Sequence, residues 1–100
     1  MRVTTISKEV YNDQNSVWYT EVVSLLIDRK KHKLRIKIRS DFYREQCFAR
    51  VERWSGSVWS KVHSILDMKT KQSLLGLNKG AGAFKADRDE LIRVAERVLS

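Results

Sequence analysis

The chain of 100 residues has no proline, four glycines, one cysteine and two histidines. Without proline, and with so little glycine, it lacks the composition of a long linker or a disordered tract. A lone Cys47 closes no internal disulfide, so a packed core has to supply the stability. A reducing compartment, the cytoplasm, is the expected location. One cysteine and two histidines without clustered carboxylates make no metal-ligand set, and neither metal nor cofactor is expected. The longest apolar patch, Val22–Ile27, is broken by Ser24. It falls far short of the roughly 20 residues that span a bilayer, so no membrane role is expected. The first residues also lack the apolar run of a secretory signal.

Signatures of chemistry are equally sparse. Gly76, Gly80 and Gly82 lie near Lys79, but no Gly-Lys-Ser/Thr follows. They read as a connection and not as a phosphate cradle. Asp87, Asp89 and Glu90 sit where a helix's first turn would favour carboxylates in any case. Cys47 and His63 fall on adjacent expected strands but on opposite faces, which argues against a nucleophile–base pair. A non-enzymatic protein is the expectation.

What the chain does have is local positive charge. Seven of its twenty basic residues lie within eleven positions: Arg29, Lys30, Lys31, Lys33, Arg35, Lys37 and Arg39. No acidic residue interrupts them. The net charge is +8, yet the other 89 residues carry thirteen basic against twelve acidic side chains, a net of +1. A concentrated cationic patch on a small chain points to a polyanion, first of all nucleic acid.

The chain reads as one α+β domain over residues 1–100: a β-rich part (1–65), a connector (66–84) and a C-terminal helix (86–99). A single antiparallel sheet of four to five strands, a meander of hairpins, is expected to carry the amphipathic helix on one face. Strands are expected over 2–10, 17–27, 32–39, 46–54 and 57–65, with turn material at Tyr11–Ser16, Asp28–Lys31 and Ser40–Glu45. Residues 32–39 alternate strictly, Leu34, Ile36 and Ile38 against Lys33, Arg35, Lys37 and Arg39. Residues 67–75 are compatible with a short helix ending at Gly76. In the last helix Asp87 is the expected N-cap, with Glu90 at capping-box spacing. Leu91, Val94, Ala95 and Val98 form its apolar stripe. Asp89 and Arg93 form a favourable i, i+4 pair.

Turn lengths give a register. If Ile27 faces His32, then Leu25 meets Leu34, Val23 meets Ile36 and Glu21 meets Ile38. If Ser55-Gly56 is a two-residue turn, Val51 meets Ser60, Ala49 meets Val62 and Arg53 meets Val58. The opposite face then pairs Phe48 with His63, Arg50 with Lys61 and Glu52 with Trp59. The sheet would have an aliphatic face for the helix and a second face that interleaves cations with aromatics. Arg50 opposite Lys61 would cost about 0.2–1 kcal/mol, which a bound anion would offset. The nucleic-acid contacts expected are Arg29, Lys30, Lys31, Lys33, Arg35, Lys37, Arg39, Arg50 and Lys61 for phosphates, with Phe48, Trp54 and Trp59 for bases. Stacking on indole faces tolerates sequence, and five to seven phosphate contacts would give a steep salt dependence.

Two plainer readings compete with this one. Lysines on the solvated side of an edge strand deter aggregation without binding anything. Large aromatics are usually buried, and a register slip or bulge would turn Phe48, Trp54 and Trp59 inward.

The order of four antiparallel strands followed by one helix, over residues 17–99, resembles transcriptional-coactivator and Whirly-type single-stranded DNA-binding proteins. That resemblance implies paired sheets, usually in a dimer, that grip unpaired strands. It rests on element order and assigns no binding residue, and the stretch between last strand and helix is longer than in the compact pattern. The segment Arg53-Trp54-Ser55-Gly56-Ser57-Val58-Trp59 also looks like accessory proteins of bacteriophages. A non-enzymatic, sequence-tolerant binder of single-stranded nucleic acid is therefore expected, with a homodimer as the expected assembly. The alternative is a protein-interaction module that docks an acidic partner, as a phage-type factor docks a host protein; Arg and Trp are favoured anchors there too.

Overall fold

The strictly alternating segment becomes the middle strand of a five-stranded antiparallel sheet. The computed structural model describes residues 2–12, 16–41, 48–65 and 85–100. The elements are β1 (Arg2–Asn12), β2 (Ser16–Ile27), β3 (Lys30–Asp41), β4 (Phe48–Trp54), β5 (Trp59–Ile65) and α1 (Lys85–Leu99). Their order across the sheet is the order along the chain, and each pair is antiparallel. The helix packs on one face, against β3, β4 and β5.

Period-two patterning decides what lies beneath the helix. Val17, Tyr19, Val23, Leu25 and Ile27 of β2 are buried with Leu34, Ile36 and Ile38 of β3 and Ala49 and Val51 of β4. Leu91, Ile92 and Ala95 of α1 close over them. Small Ala49 and Val51 face the helix, which lets its backbone approach. Each fully buried Leu or Ile contributes roughly 1.5–3 kcal/mol. The expected stripe is corrected at two positions: Val98 is exposed, at 60%, and Ile92 is buried in its place. The helix also starts at Lys85, so Asp87 is an interior first-turn residue and not the N-cap. Arg93 pairs with Glu90 at 3.3 Å, while Asp89 pairs with Arg88 at 2.9 Å; the Asp89–Arg93 pair does not form.

Both hairpins correct the expected register. Between β2 and β3 only Asp28 and Arg29 lie in the turn, at φ +48° and +68°. Two successive left-handed residues suit the right-handed twist of a two-residue hairpin. Ile27 therefore faces Lys30, Val23 faces Leu34, and Glu21 faces Ile36. This slides the expected pairing by two residues and leaves every side chain on its expected face. Strand pairing also extends further than expected, taking in Tyr11 and Asn12, Ser16, Lys30 and Lys31, and Ser40 and Asp41.

The β4–β5 loop holds four residues, Ser55–Val58, because Ser55 closes it. The Ser55 N–H donates to the Val58 carbonyl at 3.0 Å, and its hydroxyl donates to the same oxygen at 3.1 Å. Gly56 takes φ +100°, which a side chain would strain. Trp59 thus faces Trp54 in place of Glu52, Ser60 faces Arg53, and Lys61 faces Glu52. A bulge between Val51 and Glu52 then inserts Val62, which packs against the core. Beyond it His63 faces Val51, Ser64 faces Arg50 and Ile65 faces Ala49. His63 therefore belongs to the helix-bearing face, and the Arg50–Lys61 and Phe48–His63 pairs do not form. The assignments made for 42–47 and 66–84, including the short helix at 67–75, lie outside the described residues.

One carboxylate is buried under the helix. Glu21 is 2% exposed. Arg88 of α1 donates to it from Nε at 2.9 Å and Nη2 at 3.2 Å, while Tyr19 and Thr5 each donate a hydroxyl at 2.6 Å. Burial alone would raise the Glu21 pKa. The hydrogen bonds from Arg88, Thr5 and Tyr19 outweigh that and hold it below its ordinary value. Burial and the Glu21 hydrogen bond push the Tyr19 hydroxyl upward, and the Arg88 guanidinium is held more firmly protonated by the same carboxylate. The cluster ties β1, β2 and α1 together. Among the described residues no helix is long and apolar enough to cross a membrane.

Candidate nucleic-acid interface

The face turned away from α1 is built mainly by β3. Lys31, Lys33, Arg35, Lys37 and Arg39 stand on it in single file, opposite Leu26, Ser24, Val22, Thr20 and Trp18 of β2. The residues between them carry the core. An antiparallel strand rises about 3.4 Å per residue, so successive cations stand about 7 Å apart and the file runs about 27 Å. β3 has two strands on one side and two on the other. It is not an edge, so protection of an edge does not account for its lysines.

Neighbouring strands extend the charge. Arg2, Arg50 and Lys61 lie on the same face, and the register places three acidic residues there among the described ones: Glu9, Asp41 and Glu52. Eight cations thus share the face with three acidic residues among those described. Glu52 is 7% exposed. It accepts a hydrogen bond from Arg35 Nε at 2.8 Å and lies 3.8 Å from Arg50 Nε. Lys37 sits next to Arg50 in register. Burial, then repulsion from Arg50 and Arg35, lowers its pKa. One internal carboxylate therefore leaves the middle of the file under-neutralised.

Aromatic rings stand at both ends of the file. At the Lys33 end Trp54 and Trp59 face each other across β4 and β5, their ring centroids 5.2 Å apart and tilted by 54°. Lys33 Nζ lies 5.9 and 6.0 Å from the two rings, and Arg35 Cζ lies 4.5 Å from Trp59. At the far end Arg39 Cζ lies 4.8 Å from Trp18. Tyr11, 57% exposed, pairs beside Trp18. These are cation–π distances. All three indoles are half-buried on the open side of the sheet, outside the hydrophobic core.

No family model, curated protein or solved structure matches this chain.

The residues themselves therefore carry the functional argument. Of the expected contacts, Lys31, Lys33, Arg35, Lys37, Arg39, Arg50, Trp54, Trp59 and Lys61 are brought to one face. Lys30 pairs with Ile27 at the sheet's end, on the other side of the pleat. Arg29 sits at the exposed turn, in a left-handed conformation that costs a non-glycine residue about 1–2 kcal/mol. Phe48 pairs with Arg39 through the backbone. The expectation lacked Trp18 and Tyr11, and it placed Glu52 on this face without its pairing to Arg35. Trp18 was within reach: it shares the even-numbered face of β2 with Val22 and Ser24. Such a surface can hold an anion at several points along a line and can offer flat rings at either end of it.

Proposed function

We propose that this protein is a non-enzymatic binder of single-stranded nucleic acid, acting in the cytoplasm with little preference for sequence. The observation that carries the reading is the file of five cations on the central strand, facing away from the helix. Phosphates take places beside Lys31, Lys33, Arg35, Lys37 and Arg39, with Arg50 and Lys61 widening the cationic field. Trp54 and Trp59 stack bases. The test is titration with oligodeoxythymidylate, read by tryptophan fluorescence and repeated across salt concentrations. Five neutralised phosphates on a single strand correspond to a slope of log K against log salt of roughly −3.5. Quenching without salt dependence, or no quenching at low salt, overturns the reading.

A second reading, a protein-interaction module, draws on a different feature. β1 is an edge strand in which Ile6, Val10 and Tyr11 are all exposed. Strand addition by an acidic partner or by a second copy uses such an edge. Pull-down that survives nuclease treatment, or a dimer that dissociates when β1 is altered, favours it.

A further inference from the structure

We infer that the open face is a measured site, taking about four to five nucleotides of an extended single strand between two aromatic stops, with Trp18 the stop at the far end. The inference rests on the single-strand reading above and adds length, direction and a second stacking residue to it.

Spacing is the first argument. Side chains on one face of a strand recur about every 7 Å. That step is of the same order as the phosphate-to-phosphate step of an extended, unstacked single strand. Each cation of β3 can then meet its own phosphate without the ligand coiling. A duplex fits the row poorly, since its two backbones bring one charge per roughly 1.7 Å of axis and keep the base faces inside.

The stops are the second argument. Trp54 and Trp59 stand level with Lys33, and Trp18 pairs across from Arg39. From Lys33 to Arg39 is six residues, about 20 Å, or three cation-to-cation steps. Three phosphate steps separate the first and last of four nucleotides. A base stacked at each end therefore spans the file, and Lys31 reaches one phosphate more. Between the stops Val22, Thr20 and Ser24 of β2 offer no ring, so inner bases are held by their phosphates alone. This makes the tolerance of sequence a property of the middle of the site.

The experiment uses the full chain and oligodeoxythymidylates of two to twelve nucleotides, at low salt, read by tryptophan fluorescence. Affinity is expected to climb steeply up to four or five nucleotides and then only by the statistical gain of extra registers. Trp18→Ala is expected to weaken the five-nucleotide ligand about tenfold and to leave a dinucleotide almost unaffected. Arg39→Gln, a second variant at the same end, is expected to do likewise, and circular dichroism confirms that each variant is folded. Affinity that climbs without a break past five nucleotides, or a folded Trp18→Ala or Arg39→Gln variant that binds the five-nucleotide ligand as the parent does, overturns the measured site. The single-strand reading survives either result. An equal affinity for a duplex of the same length, or for an acidic peptide of equal charge, overturns both, as does the absence of binding at any length.

Discussion

Each face of the sheet holds one nearly buried glutamate, and the two are treated differently. Under the helix Glu21 accepts hydrogen bonds from Arg88, Tyr19 and Thr5, and the cluster is closed. On the open face Glu52 sits between Arg35 and Arg50 with Lys37 and Lys61 beside it. The first arrangement satisfies its charge internally and fastens the helix to the sheet. The second leaves an excess of positive charge among the described residues, a charge that a bound anion can neutralise. Buried ion pairs add little net stability but are costly to break. Excess like charge on a surface lowers stability and is kept where it attracts a ligand.

Four experiments test that difference between the two glutamates. Arg88→Ala should do the greatest damage, about 3 kcal/mol of unfolding free energy by urea denaturation, because it strands the Glu21 carboxylate in the core. Replacing both partners, Glu21→Leu with Arg88→Met, should recover most of it. On the open face Lys37→Glu should act in the opposite sense. Oligonucleotide affinity should fall more than tenfold, with a salt slope smaller by more than one phosphate's worth. The urea midpoint should stay the same or rise, since repulsion from Arg50 and Arg35 is relieved. A large loss of stability in this variant would show that the file is a structural element.

Acid should act chiefly through the closed face. The folded Glu21 carboxyl titrates below its ordinary value of 4.5. Its contribution to stability is therefore complete above about that pH and is lost as pH falls through the lower folded value. Denaturation midpoints measured downward from neutral pH should stay level and then drop, and Glu21→Gln should flatten that drop. The smallest effect is expected at the hairpin tip. Arg29→Gly removes a side chain from a left-handed position and should raise stability by about 1 kcal/mol. The same change should weaken oligonucleotide binding slightly. A gain in both would show that Arg29 has no part in binding.

The faces were legible in the sequence because alternation needs no register. Leu34, Ile36 and Ile38 had to share one side of a strand, and Lys33, Arg35, Lys37 and Arg39 the other. A two-residue error in the first hairpin left this intact. In the second hairpin, Ser55 lengthened the loop and a bulge admitted Val62, and His63 moved to the helix side. Both depend on local hydrogen bonds and packing that a pattern of apolar residues does not encode. Glu21 shows the same limit. Its partner lies 67 residues away, and nothing in the spacing joined them.

The antiparallel meander, the closing amphipathic helix and the sidedness of charge are written into the order of residues. Each follows from short-range periodicity, which one strand or one helix expresses alone. Only the assembled fold puts the basic strand at the centre of the sheet, joins Trp18 to Arg39 at one end and the indole pair to Lys33 at the other, and sets Glu52 against Arg35. Those relations are set by how separate strands align, and alignment is a property of the assembled sheet.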